Sequence, residues 1–251
     1  LIDDGIINKI IERAELSPAD RVLEIGPGLG VLTVELLKIA KEVWSVELDQ
    51  KAINYLKVRF APELRSKKFK LLEGDALKLN FRALGLEDYK FKIVANLPYS
   101  ITSHFFRNFL EYGPKPVEMT VMIQKEVAER IVAGPGEMSL LALSVQFFAD
   151  AEYLFTVQPH CFWPAPAVDS AVVQLKVKRT LPDVDAKALF RLAKIGFAAK
   201  RKQLHNNLAG ALKLEKDQVK QLFISLGWRE DIRAQDLSLA DWIKLTKALL
   251  P

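Results

Sequence analysis

Five short apolar runs, spaced by segments of helical periodicity, dominate the first half of this chain: "RVLEIG" (21–26), "EVWSVELD" (42–49), "FKLLEGDAL" (69–77), "FKIVAN" (91–96) and "EMTVMIQ" (118–124). Four of them are near-continuous rather than alternating, the pattern of parallel strands covered on both faces. Helix candidates such as "GVLTVELLKIA" (30–40) and "QKAINYLKVRF" (50–60) lie between them. Strand–helix alternation of this kind predicts an open α/β sheet whose strand C-termini share one edge, where ligands bind. "AEYLFTVQ" (151–158) and "SAVVQLKVKR" (170–179) read as two further strands joined by a Pro-rich loop, and the second alternates Val173, Leu175 and Val177 with Gln174, Lys176 and Lys178. Pro182 and two aspartates mark a boundary near 179–185, and helical patterns follow at about 185–199, 202–213, 215–225 and 238–250. The expected organisation is an α/β domain over 1–179 and a smaller helical domain over 180–251.

The 251 residues are 50% hydrophobic, enough for a full core. No run approaches the ~18–20 apolar residues of a membrane span, and no signal peptide is visible. Cys161 is the single cysteine, so no internal disulfide can form and a reducing, cytoplasmic location is expected. His104, His160 and His205 are scattered without ligand spacing, so no metal site is expected. The net charge is +5, and all of it lies beyond residue 179, where thirteen Lys/Arg face eight Asp/Glu. A neutral domain followed by a basic one suggests a catalytic unit with a polyanion-facing appendage, although a solvated helical face would have the same composition.

"EIGPGLG" (24–30) ends the first strand and opens a helix. Gly26, Gly28 and Gly30 permit a tight turn and close backbone approach to a ligand. Val31 stands where a dinucleotide fingerprint requires glycine, which disfavours an oxidoreductase. The E-x-G-x-G-x-G pattern instead resembles motif I of S-adenosylmethionine-dependent methyltransferases. Glu47, about 20 residues further on, is placed to accept from ribose hydroxyls. Asp75, in "EGDAL", is placed at the end of the third strand to accept from an adenine amino group. Acidic acceptors suit a cofactor that carries no phosphate.

The fourth strand ends in Asn96, Leu97, Pro98 and Tyr99. The amino group of adenine is a poor nucleophile, because its lone pair is delocalised into the ring. Two acceptors can draw its nitrogen towards tetrahedral geometry: the Asn96 side-chain oxygen and the Leu97 carbonyl, aimed outward because Pro98 holds Leu97 extended. Tyr99 offers a face for the base, worth ~1–3 kcal/mol of stacking. Such catalysis is alignment and electrostatics rather than general-base chemistry.

"NLPY" resembles motif IV of adenine amino-methyltransferases. "CFWPAPAVDSAVVQL" (161–175) resembles the F-x-P-x-P-x-V-D-S-A-V-V segment of the KsgA family, the ribosomal RNA adenine dimethyltransferases, with Ala167 where the family often has Lys. "FAAKRKQLHNNL" (197–208) resembles the family's R-R-K-x-L-x-N-N-L motif, and "LIDDGIINKI" resembles the tail of its G-Q-x-F-L-x-D opening, without the Gln and Phe. The likeness spans the chain.

The resemblance implies a Rossmann-like S-adenosylmethionine-dependent methyltransferase sheet with a C-terminal helical RNA-binding domain. Asn96, Leu97, Pro98 and Tyr99 would form the catalytic tip, with Phe162 as a second base-stacking aromatic around a flipped-out adenine. Leu1, Gly26, Gly28, Glu47, Leu48, Asp75, Ala76 and Asn96 would hold S-adenosylmethionine, and Lys200, Arg201 and Lys202 would grip RNA phosphates. Asn206 and Asn207 serve either RNA or the fold. The implied substrate is a pair of adjacent adenosines in small-subunit ribosomal RNA, each dimethylated on an immature small ribosomal subunit, by a monomer with no membrane association. The rivals are the related large-subunit enzyme of macrolide resistance and a ribosome-assembly or transcription factor on the same fold; the forms of "NLPY" and "RKQLHNNL" favour the small-subunit enzyme.

Overall fold

The computed structural model describes residues 1–199 and 201–249. Seven strands form one sheet: β1 (Arg21–Ile25), β2 (Glu42–Glu47), β3 (Phe69–Glu73), β4 (Lys92–Asn96), β5 (Glu118–Gln124), β6 (Ala149–Val157) and β7 (Ser170–Val177). The spatial order is β3-β2-β1-β4-β5-β7-β6. The first five strands run parallel, and β7 pairs antiparallel with both β5 and β6. The order reverses between β1 and β4, the place where an open α/β sheet splays its crossovers and leaves a crevice for a ligand.

The chain divides into two compact units, one holding 1–129 and 148–178, the other 130–147 and the residues from Arg179 onward. In the first unit, α1 (Asp4–Arg13), α2 (Val31–Ile39), α3 (Gln50–Arg59) and α4 (Ala61–Arg65) accompany β1 to β3. Ile7, Ile10, Leu36 and Leu56 from these helices, with Phe60 between α3 and α4, join Val22, Val43, Phe69, Val94 and Val172 from the strands in one buried cluster. β1 has four consecutive buried residues and β5 six, as near-continuous apolar runs require.

The alternation read in "SAVVQLKVKR" places Gln174 on a polar face, and the structure corrects this. Gln174 is buried and donates to the Arg13 carbonyl at 2.7 Å and to Glu118 Oε1 at 2.9 Å. The polar residue is tolerated inside because its amide is paired. The helix α1 over residues 4–13, capped by Asp3, is likewise absent from the sequence reading.

After β4 the chain turns through Tyr99–Ile101 into α5 (Thr102–Arg107) and a wider π-type turn at Asn108–Tyr112. Phe105, Phe106 and Phe109 are buried, and Phe109 meets Phe81, Phe91 and Phe105 in an aromatic cluster. That cluster fixes the base of the segment leaving β4. Asn108 adds a bond to the Leu77 carbonyl at 3.1 Å, tying it to the loop after β3.

The second unit contains α8 (Ala186–Phe197), α9 (Leu204–Leu212), α10 (Lys216–Ser225) and α11 (Leu239–Leu249). The intervening α6 (Lys125–Val132) and α7 (Leu140–Phe148) span the unit limits. Gly136 and Met138 donate backbone bonds to Gln235, and Phe147 packs edge-on to Phe190, which accounts for residues 130–147 joining the later helices. Asp185 caps α8 and Glu215 closes a capping box with Gln218 on α10. Gly196 on α8 lies under Trp242 of α11, where an added Cβ would come within 2.5 Å of the indole.

Candidate active site

The sequence-predicted residues of the first unit converge on the edge formed by the C-terminal ends of β1 to β5. Gly26, Gly28 and Gly30 have φ of +67°, +57° and +73°, a left-handed run that L side chains resist. The Gly26 amide donates to the Val46 carbonyl, which fixes the loop against β2. A Cβ on Gly30 would fall 2.6 Å from Phe60, so this glycine seats the loop on α3 and α4. A Cβ on Gly28 would meet nothing within 4 Å, so that glycine exposes backbone to an open cradle.

Glu47 ends β2 and binds the cradle. Its Oε2 accepts from the Gly28 amide at 3.1 Å, and its Oε1 accepts from the amides of Leu48 and Asp49 at 2.8 and 2.9 Å. A carboxylate has about four acceptor directions, so these three bonds leave one for a ligand hydroxyl; a second hydroxyl would share Oε1 with the amides. Leu48 is exposed beside it.

β3 stops at Glu73, so Asp75 sits in the turn after the strand rather than at its last residue. Gly74, at φ +143°, makes that turn, and Asp75 Oδ1 accepts from the Leu77 amide at 2.9 Å. Asp75 Oδ2 is 3.7 Å from the exposed ammonium of Lys78. Ala76 is buried beneath it.

Asn96 closes β4 opposite Met122 of β5. Its side chain is half-buried and forms no hydrogen bond to another described residue. Leu97 is buried and its amide donates to the Met122 carbonyl at 3.0 Å. The Pro98 carbonyl accepts from the Ile101 amide, and the Thr102 hydroxyl approaches the Pro98 and Tyr99 carbonyls at 3.5 and 3.4 Å. Pro98 lies 3.7 Å from the Cβ direction of Gly26, so the glycine loop and the β4 tip are immediate neighbours. Tyr99 is held by its hydroxyl, 2.7 Å from Ser170 Oγ.

Behind the glycine loop lies Glu24, buried in β1, whose Oε2 accepts from Thr33 of α2 at 2.7 Å and Ser45 of β2 at 2.6 Å. Burial pushes its carboxyl up to about 7, against the two hydroxyl bonds and with help from the nearby Glu47 charge. Glu24, Thr33 and Ser45 thus lock helix, loop and strands together. Sequence reasoning missed this triad: Thr33 and Ser45 are isolated hydroxyls in apolar runs, and only Glu24's place inside a buried strand hinted at a partner.

Phe162 packs in the main apolar cluster with Val94, Val157, Cys161 and Val172 and is 9% exposed. Leu1 packs on the same cluster, and the Ile2 amide donates to the Cys161 carbonyl at 2.8 Å.

Comparison with known proteins adds to this geometry. The family model described as ribosomal RNA adenine dimethylase matches residues 1–250. The chain belongs to that family. Among curated relatives, a ribosomal RNA small subunit methyltransferase A of Dehalococcoides mccartyi is 43% identical, over 98% of this chain and 84% of its own length. One of the same description from Thermosynechococcus vestitus is 42% identical, over 99% and 93%. Among solved structures, a dimethyladenosine transferase from Plasmodium falciparum superposes with a TM-score of 0.81 at 30% identity, covering 98% of this chain and 95% of that one. The 23S rRNA methyltransferase ErmE gives 0.79 at 26% identity, covering 99% and 98%. The Rossmann-like sheet expected from sequence is therefore the fold of this dimethylase.

The basic motif of this family member lies in the second unit. Lys200 falls outside the described residues. Arg201 and Lys202 are exposed in the turn before α9, where the Lys202 amide donates to the Ala199 carbonyl at 3.0 Å. Asn207 donates from Nδ2 to the carbonyls of Gly196 and Ala199 at 2.7 and 3.4 Å, so it clasps the end of α8 and serves the fold. His205 is buried against the Glu230 carbonyl at 3.0 Å. These bonds brace the turn that presents the two cations.

Proposed function

We propose that this chain transfers methyl groups from S-adenosylmethionine to the exocyclic amino group of two adjacent adenosines in small-subunit ribosomal RNA, giving dimethyladenosines during ribosome biogenesis. The observation that carries the reading is the adjacency of the Asn96–Tyr99 tip to the glycine loop, with Pro98 3.7 Å from the Gly26 Cβ direction. Relatives described as small-subunit methyltransferases, at above 40% identity, favour that subunit over the large one.

The donor set fits the cofactor. Strand order puts Asp75, Glu47, the glycines and Asn96 in one row at the tips of β3, β2, β1 and β4. Adjacent strands are ~4.8 Å apart, so the row spans about 14 Å. Along it Asp75 accepts from an amino group, Glu47 from a hydroxyl, and Gly28 offers bare backbone; Leu48 and Ala76 flank these acceptors and Leu1 lies at the cluster behind the tip. When bound, S-adenosylmethionine supplies an electrophilic methyl group on a sulfonium.

The protein's part is to hold the acceptor nitrogen. Asn96 Oδ1 and the Leu97 carbonyl each accept one N–H hydrogen, which frees the nitrogen lone pair from the ring. Tyr99 stacks on the base, and Phe162 is its second stacking aromatic. The methylated nitrogen is cationic, and it releases its proton to water without a dedicated base. Alignment and electrostatics supply most of the effect. Residues 1–179 carry this chemistry, and 180–251 dock on RNA through Lys200, Arg201 and Lys202. No helix among the described residues is long and apolar enough to cross a membrane.

The deciding experiment follows labelled methyl groups from S-adenosylmethionine into immature small subunits and into large-subunit RNA, with nucleoside analysis of the products. Dimethyladenosine in the small subunit supports the proposal. Label confined to large-subunit RNA, or no label, refutes it.

A further inference from the structure

Trp163 is 83% exposed, the most exposed large hydrophobic side chain among the described residues. It directly follows Phe162, which is only 9% exposed, so the open ring of this segment is Trp163. Topology fixes which edge of the sheet carries this segment. β7 runs antiparallel to β5, with Ser170 opposite Gln124, and β6 ends with Val157 opposite Ser170. The connection 158–169 therefore emerges at the same sheet edge as Asn96 and the glycine loop.

The connection is anchored at both ends. On one side Cys161 and Phe162 are sunk in the apolar cluster. On the other, buried Ser170 bonds Tyr99, the Asp169 carbonyl accepts from the Lys125 amide at 3.0 Å, and the Lys125 ammonium is 3.6 Å from the Asp169 carboxylate. Pro164 and Pro166 stiffen the span between. Next to it Gln124, Lys125, Glu126, Glu129, Val168 and Asp169 line an open cleft of about 310 Å³. These anchors brace the backbone that carries the indole.

Lifting an adenosine out of its strand leaves the neighbouring base with a bare face, and something must replace the lost stacking. We propose that Trp163 is the platform for that neighbour: it stacks on the base adjacent to the target adenosine while the target lies at the β4 tip. Tyr99 and Phe162 serve the target; Trp163 serves the next nucleotide. This rests on the RNA adenine methyltransferase reading. The occupant is an unpaired nucleotide, because a flat, exposed indole offers a face to a base and no charge to a phosphate, and the cleft along the same loop carries Glu126, Glu129 and Asp169 beside its one lysine.

The test compares wild type, Trp163→Ala and Trp163→Phe in methyl transfer to unmethylated small subunits at two salt concentrations. Trp163→Ala should raise the KM for the subunit about tenfold at both salts, because stacking is not ionic, and keep kcat within about twofold; Trp163→Phe should recover most of the affinity. A second measurement places 2-aminopurine next to the target adenosine in a short RNA hairpin. Wild type should quench its fluorescence on binding, and Trp163→Ala should not. An unchanged KM, a loss confined to kcat, or quenching that survives in Trp163→Ala overturns the proposal. Wild type inactive on small subunits would instead overturn the functional reading itself.

Discussion

The Tyr99 hydroxyl lies 2.7 Å from the Ser170 hydroxyl, so the tip of β4 and the start of β7 are joined directly across the end of β5. Ser170 is fully buried and cannot move aside, which makes it the fixed member of the pair. The orientation of the Tyr99 ring is thus set by the strand that ends the Pro-rich connection.

Removing that bond should cost catalysis rather than cofactor affinity. A net hydrogen bond contributes about 0.5–1.5 kcal/mol, so Ser170→Ala should lower kcat about two- to tenfold. Tyr99→Phe should match it, and the double variant should be no worse than either single one, since all three remove the same interaction. Additive losses in single-turnover rates would show that the two hydroxyls act separately.

Glu47 joins the end of β2 to the glycine loop through the Gly28 amide. Glu47→Ala removes both the ligand acceptor and that brace. Bonds to a charged group contribute about 1.5–3 kcal/mol each, so affinity for S-adenosylmethionine should fall at least about tenfold by calorimetry. Unchanged affinity would move the cofactor off this edge.

Glu24 predicts a pH dependence of stability. Its carboxyl is raised from 4.5 to about 7 by burial, so the folded state binds the proton more tightly than the unfolded chain. The stabilisation is fully present below pH 4.5 and disappears as pH rises to about 7, a change of about 3 kcal/mol. Glu24→Gln cannot titrate, so urea midpoints of wild type relative to this variant should fall between pH 5 and 7.5. A difference that stays constant with pH would contradict the assignment.

Arg201 and Lys202 stand exposed in a turn braced by Asn207 and Leu204. Replacing both with Gln should weaken RNA binding and reduce the slope of log affinity against log salt by about 1.4–1.8, since each neutralised phosphate contact contributes ~0.7–0.9. An unchanged slope would place the RNA elsewhere.

Much of this was legible in the sequence for a physical reason. The near-continuous runs of β1, β2, β4 and β5 report burial on two faces, and Gly26, Gly28 and Gly30 occupy positions whose positive φ favours glycine. What escaped depended on partners far along the chain. Gln174 reads as a solvent-facing residue until Arg13 and Glu118 are seen to pair its amide. Ser170 looks like one more small residue in a strand, and nothing local links it to Tyr99. Thr33 and Ser45 acquire meaning only from the carboxylate they share. Phe162 and Trp163 show the limit most clearly, because adjacent aromatics in one motif take opposite environments.

The central claim is that the Asn96 amide oxygen, with the Leu97 carbonyl, holds the adenine amino nitrogen for methyl transfer. Asn96→Ala, assayed for cofactor binding by calorimetry and for single-turnover methylation of small subunits, tests it most directly. Cofactor affinity should be largely retained while the methylation rate falls ~100-fold or more, as for loss of a hydrogen-bonding group that acts in the transition state. A methylation rate close to wild type would contradict it.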